Sequence, residues 1–188
     1  MKVFNIIENT RVEGPGLRTA IWAQGCTANC PGCFNKQAQS LTGGHELSIE
    51  NIMQMLITNE HITGVTIAGG EPLLQAEELK KLLLHIRYRT AHLTTILYTG
   101  LHFSQVAKNK LYKTCCALSD VVITGPFIKS QAPDPRRWVG SRNQEIFYIS
   151  DRLSRELDPW PMEDHKSEIH IGDGKINICG NELKGLSL

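Results

Sequence analysis

Six cysteines occur in this chain of 188 residues, and three of them crowd into one short segment. That segment, Gly25-Cys26-Thr27-Ala28-Asn29-Cys30-Pro31-Gly32-Cys33, spaces them as C-x3-C-x2-C. Thiolates are soft ligands that suit iron–sulfur clusters, zinc or copper(I). Spacings this short let one loop wrap three sulfurs around a small inorganic core, and Gly25, Pro31 and Gly32 suit the tight turns required. A structural zinc site is closed by a fourth ligand. The nearest candidate, His45, lies well downstream, and Cys115, Cys116 and Cys179 are further still. A [4Fe–4S] cluster on three cysteinates instead leaves one iron open, as a catalytic metal keeps a position for its substrate. The spacing favours a cluster on Cys26, Cys30 and Cys33; a zinc knuckle, or a set of buried thiols, is the other reading.

The elements that must position these residues follow from periodicity. Leu17 to Gln24 reads as an apolar strand that stops at Gly25 and delivers the cysteines. Ser48 is an N-cap candidate for a helix running to Thr58, with Ile49, Ile52, Met53 and Leu56 on one face. Gly64 to Ala68 reads as a buried strand, Gln75 to Arg89 as an amphipathic helix, Leu93 to Tyr98 as a strand and Phe103 to Tyr112 as a weaker helix. Asp120 to Thr124 and Glu145 to Ser150 read as further strands. This alternation predicts a parallel α/β domain, either an open partial barrel or a doubly wound sheet, with too few strands for a closed barrel. Asp158-Pro159-Trp160-Pro161 reads as a linker. Glu168 to Ile171 and Lys175 to Ile178, around Gly172-Asp173-Gly174, read as a β-hairpin.

The second strand ends in Gly69-Gly70-Glu71-Pro72, at the C-terminal rim where α/β folds place their sites. Paired glycines there expose backbone to a ligand, and Glu71 adds a carboxylate; the plainer reading is a helix start at Glu71-Pro72. Thr99-Gly100 closes the third strand at the same rim. Cys115 and Cys116 read as buried thiols, small hydrophobes in effect. Cys179 stays open between a relay, a second-site ligand and neither role, and His165 and His170 read as surface or hairpin residues.

Composition bounds the function. Twenty Lys+Arg against nineteen Asp+Glu give a net charge of +1, which argues against a nucleic-acid footprint. No apolar run approaches the ~20 residues of a membrane span, and the N-terminus turns polar too soon for a signal peptide. Clustered cysteines without an export signal predict a reducing, cytoplasmic setting.

C-x3-C-x2-C after one strand and GGEP after the next resemble the radical S-adenosylmethionine superfamily. Glu13-Gly14-Pro15-Gly16-Leu17-Arg18, Cys33-Phe34-Asn35, Tyr98-Thr99-Gly100, Gly125-Pro126-Phe127 and Trp138-Val139-Gly140-Ser141-Arg142-Asn143-Gln144 resemble, in this order, its glycyl-radical-enzyme activase branch, of the type serving anaerobic ribonucleotide reductase. The resemblance runs from about Val3 to Ile149. It implies an open partial (βα) barrel of about five to six mostly parallel strands over residues 1–151, with a linker and β-hairpin extension over 152–188. It implies a [4Fe–4S] cluster on Cys26, Cys30 and Cys33, and S-adenosyl-L-methionine against Gly69, Gly70, Glu71 and Thr99, with Phe34 and Asn35 nearby. It implies reductive cleavage of that cofactor, a protein or peptide substrate, and a reduced flavodoxin- or ferredoxin-like electron donor. The bland reading of each match is a turn, core or loop-closing residue, and for Arg18 a surface site as readily as an anion contact. Two departures from the branch, Thr124 in place of an acidic residue and the tail after Asp151, open a second reading with a peptide or small metabolite as substrate. A non-catalytic zinc or iron–sulfur module is the third.

Overall fold

The computed structural model describes residues 1–157, 160–162, 166–172 and 175–180. In chain order the elements are β1 (Lys2–Thr10), β2 (Arg18–Ala23), β3 (His45–Glu46), α1 (Ile49–Thr58), β4 (Gly64–Gly69), α2 (Ala76–Arg89), β5 (Thr94–Thr99), α3 (Phe103–Lys108), α4 (Lys110–Leu118), β6 (Val121–Thr124), β7 (Glu145–Tyr148), α5 (Asp151–Leu157), β8 (Ser167–Gly172) and β9 (Lys175–Gly180). No helix among the described residues is long and apolar enough to cross a membrane.

One seven-stranded sheet runs β3-β1-β2-β4-β5-β6-β7. Its centre, β2-β4-β5-β6, is parallel, and its flanks pair antiparallel. Parallel neighbours end together: Ala23 lies beside Gly69, and Thr99 beside Thr124. The cysteine loop, the GGE segment, Thr99-Gly100 and Gly125 therefore leave the sheet at one edge.

Both faces of the central strands are covered, as parallel strands require. Ile21, Val65, Ile67, Leu97 and Val122 point to the helices, where Ile52, Met53, Leu79, Leu82, Leu83 and Ile86 meet them in the main core. The alternate residues face the other way. Ala20 and Trp22 pack with Ile7, Val12 and Cys179, while Ile96, Val121 and Ile123 pack with Val139, Leu153 and Trp160. Residues on either side of position 151 thus share a core. Arg152 of α5 reinforces this, reaching the buried Asp120 carboxylate at 3.3 Å and the Leu93 carbonyl at 2.9 Å.

Several elements differ from the sequence expectation. β1 was not expected: its mixed burial, with polar Asn5, Glu8 and Asn9 among apolar residues, hides the strand. The helix expected from Phe103 breaks at Asn109, whose φ and ψ are extended and whose side chain caps α4 by accepting from the Leu111 and Tyr112 amides. α4 then carries Cys115 and Cys116 inside it. α5 occupies the start of the expected linker. Ser48 caps α1 as expected, accepting from the Asn51 amide at 3.0 Å. The hairpin forms with Gly172 opposite Lys175. Asp158, Pro159, His165, Asp173 and Gly174 lie outside the described residues.

Arg18 opens β2 and has no exposed surface. Its Nε donates to Thr66 Oγ1 at 2.8 Å, and its Nη2 to the Val65 and Thr94 carbonyls at 2.9 Å each. The guanidinium spans β2, β4 and β5 and fixes their relative heights at the edge opposite the cysteines. Neither a surface position nor a site contact describes it. Removing it strands buried acceptors, so Arg18→Leu is expected to lower stability by about 3 kcal/mol, read as a shift in the urea unfolding midpoint; a loss below ~1 kcal/mol would contradict this role.

Candidate functional site

The cysteine loop is closed at its root by backbone. The Gly25 amide donates to the Ala38 carbonyl at 2.7 Å and the Cys26 amide to Gln39 at 3.1 Å. Gln24, buried at the end of the strand, sends its Nε2 to the Ser40 carbonyl at 2.6 Å. Gln75 holds Gln24 in turn through its carbonyl, at 3.0 Å. Sequence reasoning missed Gln24 and Gln75; the available signal was a polar residue ending an otherwise apolar strand. Within the loop the Cys33 amide donates to the Cys30 carbonyl at 3.2 Å, and Asn29 takes a left-handed φ of 47°.

The GGE segment lies against this root. The Gly70 amide donates to the Ala23 carbonyl and the Glu71 amide to the Gly25 carbonyl, at 2.8 and 2.7 Å. A Cβ on Gly70 would stand 2.3 Å from the Gly25 oxygen and 2.8 Å from the Ala38 oxygen. Gly69, at φ 108°, turns the chain where a Cβ would strike the backbone of Ala23. The glycines are thus required by close backbone approach, not only by exposure to a ligand.

Glu71 is buried and accepts three hydrogen bonds: from the Leu73 amide at 3.0 Å, from Thr99 Oγ1 at 2.9 Å and from the Gly100 amide at 2.8 Å. It caps the short 3-10 turn at Pro72–Gln75 and ties the end of β4 to the end of β5. The helix-start reading and the rim-carboxylate reading are both present in one side chain. Burial holds its carboxyl above the ordinary carboxylate range, against these three donors.

Cys26, Cys30, Cys33, Phe34, Asn35, Gly69, Gly70, Glu71 and Thr99 all line one cavity of about 890 Å³. Every expected site residue is brought to it. Phe34 is 44% exposed and its ring packs on Phe127 at 4.9 Å. Among the described residues, the trio of His, Cys, Asp or Glu side chains whose ligand atoms all lie within 4.8 Å of one another is Glu168, His170 and Cys179. Cys26, Cys30 and Cys33 are not all within that distance of one another. Three soft thiolates lining one cavity are a donor set that fits an iron–sulfur cluster.

The remaining expectations resolve locally. Ser141, Asn143 and Gln144 close their own loop: Ser141 Oγ donates to Asn143 Oδ1 at 2.7 Å, Asn143 Nδ2 to the Pro126 carbonyl at 2.7 Å, and Gln144 Nε2 to the Gly125 carbonyl at 3.0 Å. Cys115 and Cys116 are buried in the core beneath the helices, and burial raises their thiols to about 12 and about 11. Thr124 is buried, and its Oγ1 has no partner among the described residues.

The sequence profile of the 4Fe–4S single cluster domain family matches residues 12–147. The chain belongs to this family. Its cysteine loop, GGE segment and third and fourth strand ends all fall inside the family match, and the hairpin falls beyond it. The chain is also similar to the anaerobic ribonucleoside-triphosphate reductase-activating protein of Enterobacteria phage T4, 28% identical over 144 residues, which cover 74% of this chain and 89% of the relative. The proteins of the same name from Vibrio cholerae and Escherichia coli K12 are 28% and 26% identical, over 72% and 73% of this chain and 90% and 92% of theirs.

Two features of the cavity were not expected as part of the site. β8 and β9 lie across its mouth, and Ile169, Ile171, Ile176 and Ile178 line it. Glu13, from the segment before β2, also lines it and accepts the Gly180 amide at 2.8 Å. Burial lifts its carboxyl from 4.5 to about 7, and the charge of Glu168 adds to the rise.

Two outcomes are expected. Gly70→Ala forces backbone against backbone and should cost about 2 kcal/mol and lower iron loading on reconstitution, whereas Gly100→Ala, whose Cβ meets only Glu71 Oε2 at 3.5 Å, should leave iron loading intact. Because the native Glu13 carboxyl binds its proton more tightly than the unfolded one, its contribution is full below about pH 4.5 and is lost as pH rises through about 7. The unfolding midpoint should therefore fall between about pH 4.5 and pH 7 and level off above, and Glu13→Gln should flatten that fall.

Proposed function

We propose that this chain is a radical S-adenosylmethionine enzyme of the activating type, which draws a hydrogen atom from a partner protein. The observation that carries the reading is the convergence of the three loop thiols and the GGE strand end on one cavity. Cys26, Cys30 and Cys33 would hold the [4Fe–4S] cluster, three thiolates serving four irons. Gly69, Gly70, Glu71 and Thr99 would form the wall for S-adenosyl-L-methionine, with Phe34 and Asn35 at its side. When bound and reduced, that pair supplies a 5′-deoxyadenosyl radical. The name borne by the relatives, anaerobic ribonucleoside-triphosphate reductase-activating protein, supports a glycyl-radical partner.

The chain's own residues position and enclose. Glu71 acts mainly by fixing the ends of β4 and β5, because its carboxylate oxygens are engaged by Leu73, Thr99 and Gly100. Taken as an open partial barrel, the sheet would leave the cavity broad at its mouth. The four isoleucines of the hairpin give that mouth an apolar wall, which suits a polypeptide inserted from a partner and keeps water out once it is seated. The electron would come from a reduced flavodoxin- or ferredoxin-like protein in the cytoplasm. The unpartnered Thr124 and the hairpin together favour one second reading, in which the substrate is a peptide or small metabolite instead of the reductase.

Anaerobic reconstitution with iron and sulfide, followed by dithionite and S-adenosyl-L-methionine, is expected to give 5′-deoxyadenosine. A cluster-replete sample that yields none would overturn the proposal. Cys26→Ala, Cys30→Ala or Cys33→Ala should each abolish cluster and product, and Cys115→Ala should abolish neither. A glycyl radical signal by EPR on an added anaerobic reductase supports the leading reading; a mass change on a peptide in its absence supports the second.

A further inference from the structure

We propose that Glu168, His170 and Cys179 form a second metal site, for zinc, that fastens the hairpin over the mouth of the cavity. In β8–β9 Glu168 stands directly opposite Cys179, and His170 lies two residues along on the same face. Their ligand atoms, one carboxylate oxygen, one imidazole nitrogen and one thiol sulfur, all lie within 4.8 Å of one another. That mixed set is suited to zinc, which binds sulfur at about 2.3 Å and nitrogen or oxygen at about 2.0–2.2 Å. Bonds of that length bring ligand atoms about 3.3–3.8 Å apart, so the trio needs to contract only slightly. Cys179 is buried at 3%, while the Glu168 and His170 side chains are 30% and 31% exposed, which leaves an ion a path in.

The hairpin's inverted amphipathicity is the second observation. Its apolar face, Ile169, Ile171, Ile176 and Ile178, is 52, 80, 62 and 45% exposed, and its polar face turns toward β1. A two-stranded hairpin is marginal in water unless a packed face holds it. Here the described contacts of that inward face are mostly polar. Asn5 Nδ2 donates to Asn177 Oδ1 at 3.0 Å, the Arg11 amide to Glu168 Oε1 at 3.1 Å, and Thr10 Oγ1 lies 3.6 Å from Cys179 Sγ. His170 Nε2 and Glu168 Oε2 are 3.1 Å apart. That contact alone describes a histidine–carboxylate pair beside a buried thiol, the arrangement the zinc would draw together. Three protein ligands leave a fourth position for water or the Thr10 hydroxyl. The site shares no residue with the cysteine loop and does not depend on the reaction assigned to it.

The test uses the full chain, reconstituted anaerobically with its cluster, incubated with zinc chloride and desalted. Metal analysis should return about one zinc per chain besides the iron, and zinc X-ray absorption should show one sulfur at about 2.3 Å with nitrogen and oxygen neighbours at about 2.0 Å. Cys179→Ala and His170→Ala should each lose the zinc and keep the iron. A full chain with Cys26, Cys30 and Cys33 all replaced by Ala leaves the hairpin untouched. It should still take up cobalt(II) with a thiolate-to-cobalt absorption band, whether or not the hairpin variants fold. Absence of zinc from the cluster-loaded chain, zinc that persists in both hairpin variants, or no cobalt band in the triple variant would each overturn the site.

Discussion

The contact on which the site depends is the approach of one strand end to the root of the next loop. Gly70 lies where its missing side chain would overlap the Gly25 and Ala38 carbonyls, and the amides of Gly70 and Glu71 donate to Ala23 and Gly25. Two backbone segments touch with nothing between them. The loop that carries the cysteines is therefore not a free excursion from β2 but is clamped by the end of β4. Glu71 extends the clamp sideways to Thr99 and Gly100, so three strand ends are tied together. Positioning a metal centre to within a fraction of an ångström requires this kind of support from rigid elements.

That clamp exists because the central strands are parallel and in register. Parallel order sends the loops after β2, β4, β5 and β6 to the same edge, and the buried Arg18 sets the strand heights at the other. Helices α1 to α4 take one face of the sheet. The other face is shared by α5, the loop that holds Gln144 and the hairpin, and the cavity is lined by the loop and the hairpin. The hairpin is thus both the least conventional element and part of the site. Its outward isoleucines give the cavity an apolar rim, and its inward polar residues meet β1.

Much of this was legible in the sequence for local reasons. The C-x3-C-x2-C spacing, the glycines after the second strand and the N-cap of α1 depend on residues close together in the chain, and the periodicity of α2 needs no partner to be seen. β1 was not legible because its two faces meet different surroundings and its polar residues break the alternation. The split at Asn109 was hidden because a capping asparagine within a weak helical pattern looks like an exposed polar residue. Gln24 and Gln75 gave almost no signal: their roles are to bond carbonyls brought near by folding. The run Ser141 to Gln144 could be read as ligand-binding or loop-closing; its bonds close the loop, and Gln144 also lines the cavity.

The sequence by itself determined which residues could carry the chemistry, because thiol softness and loop spacing are properties of a short covalent segment. It also determined that strands would alternate with helices, because burial on a pleated or helical surface imposes its own period. Only the tertiary structure decided that the thiols and the GGE segment line one cavity, that the two glycines serve close backbone contact and that Glu71 braces two strands. It alone turned the hairpin's apolar face outward and brought Glu168, His170 and Cys179 together. Those outcomes depend on distances between residues far apart in the chain, and such distances are fixed by register and packing, which no local pattern contains.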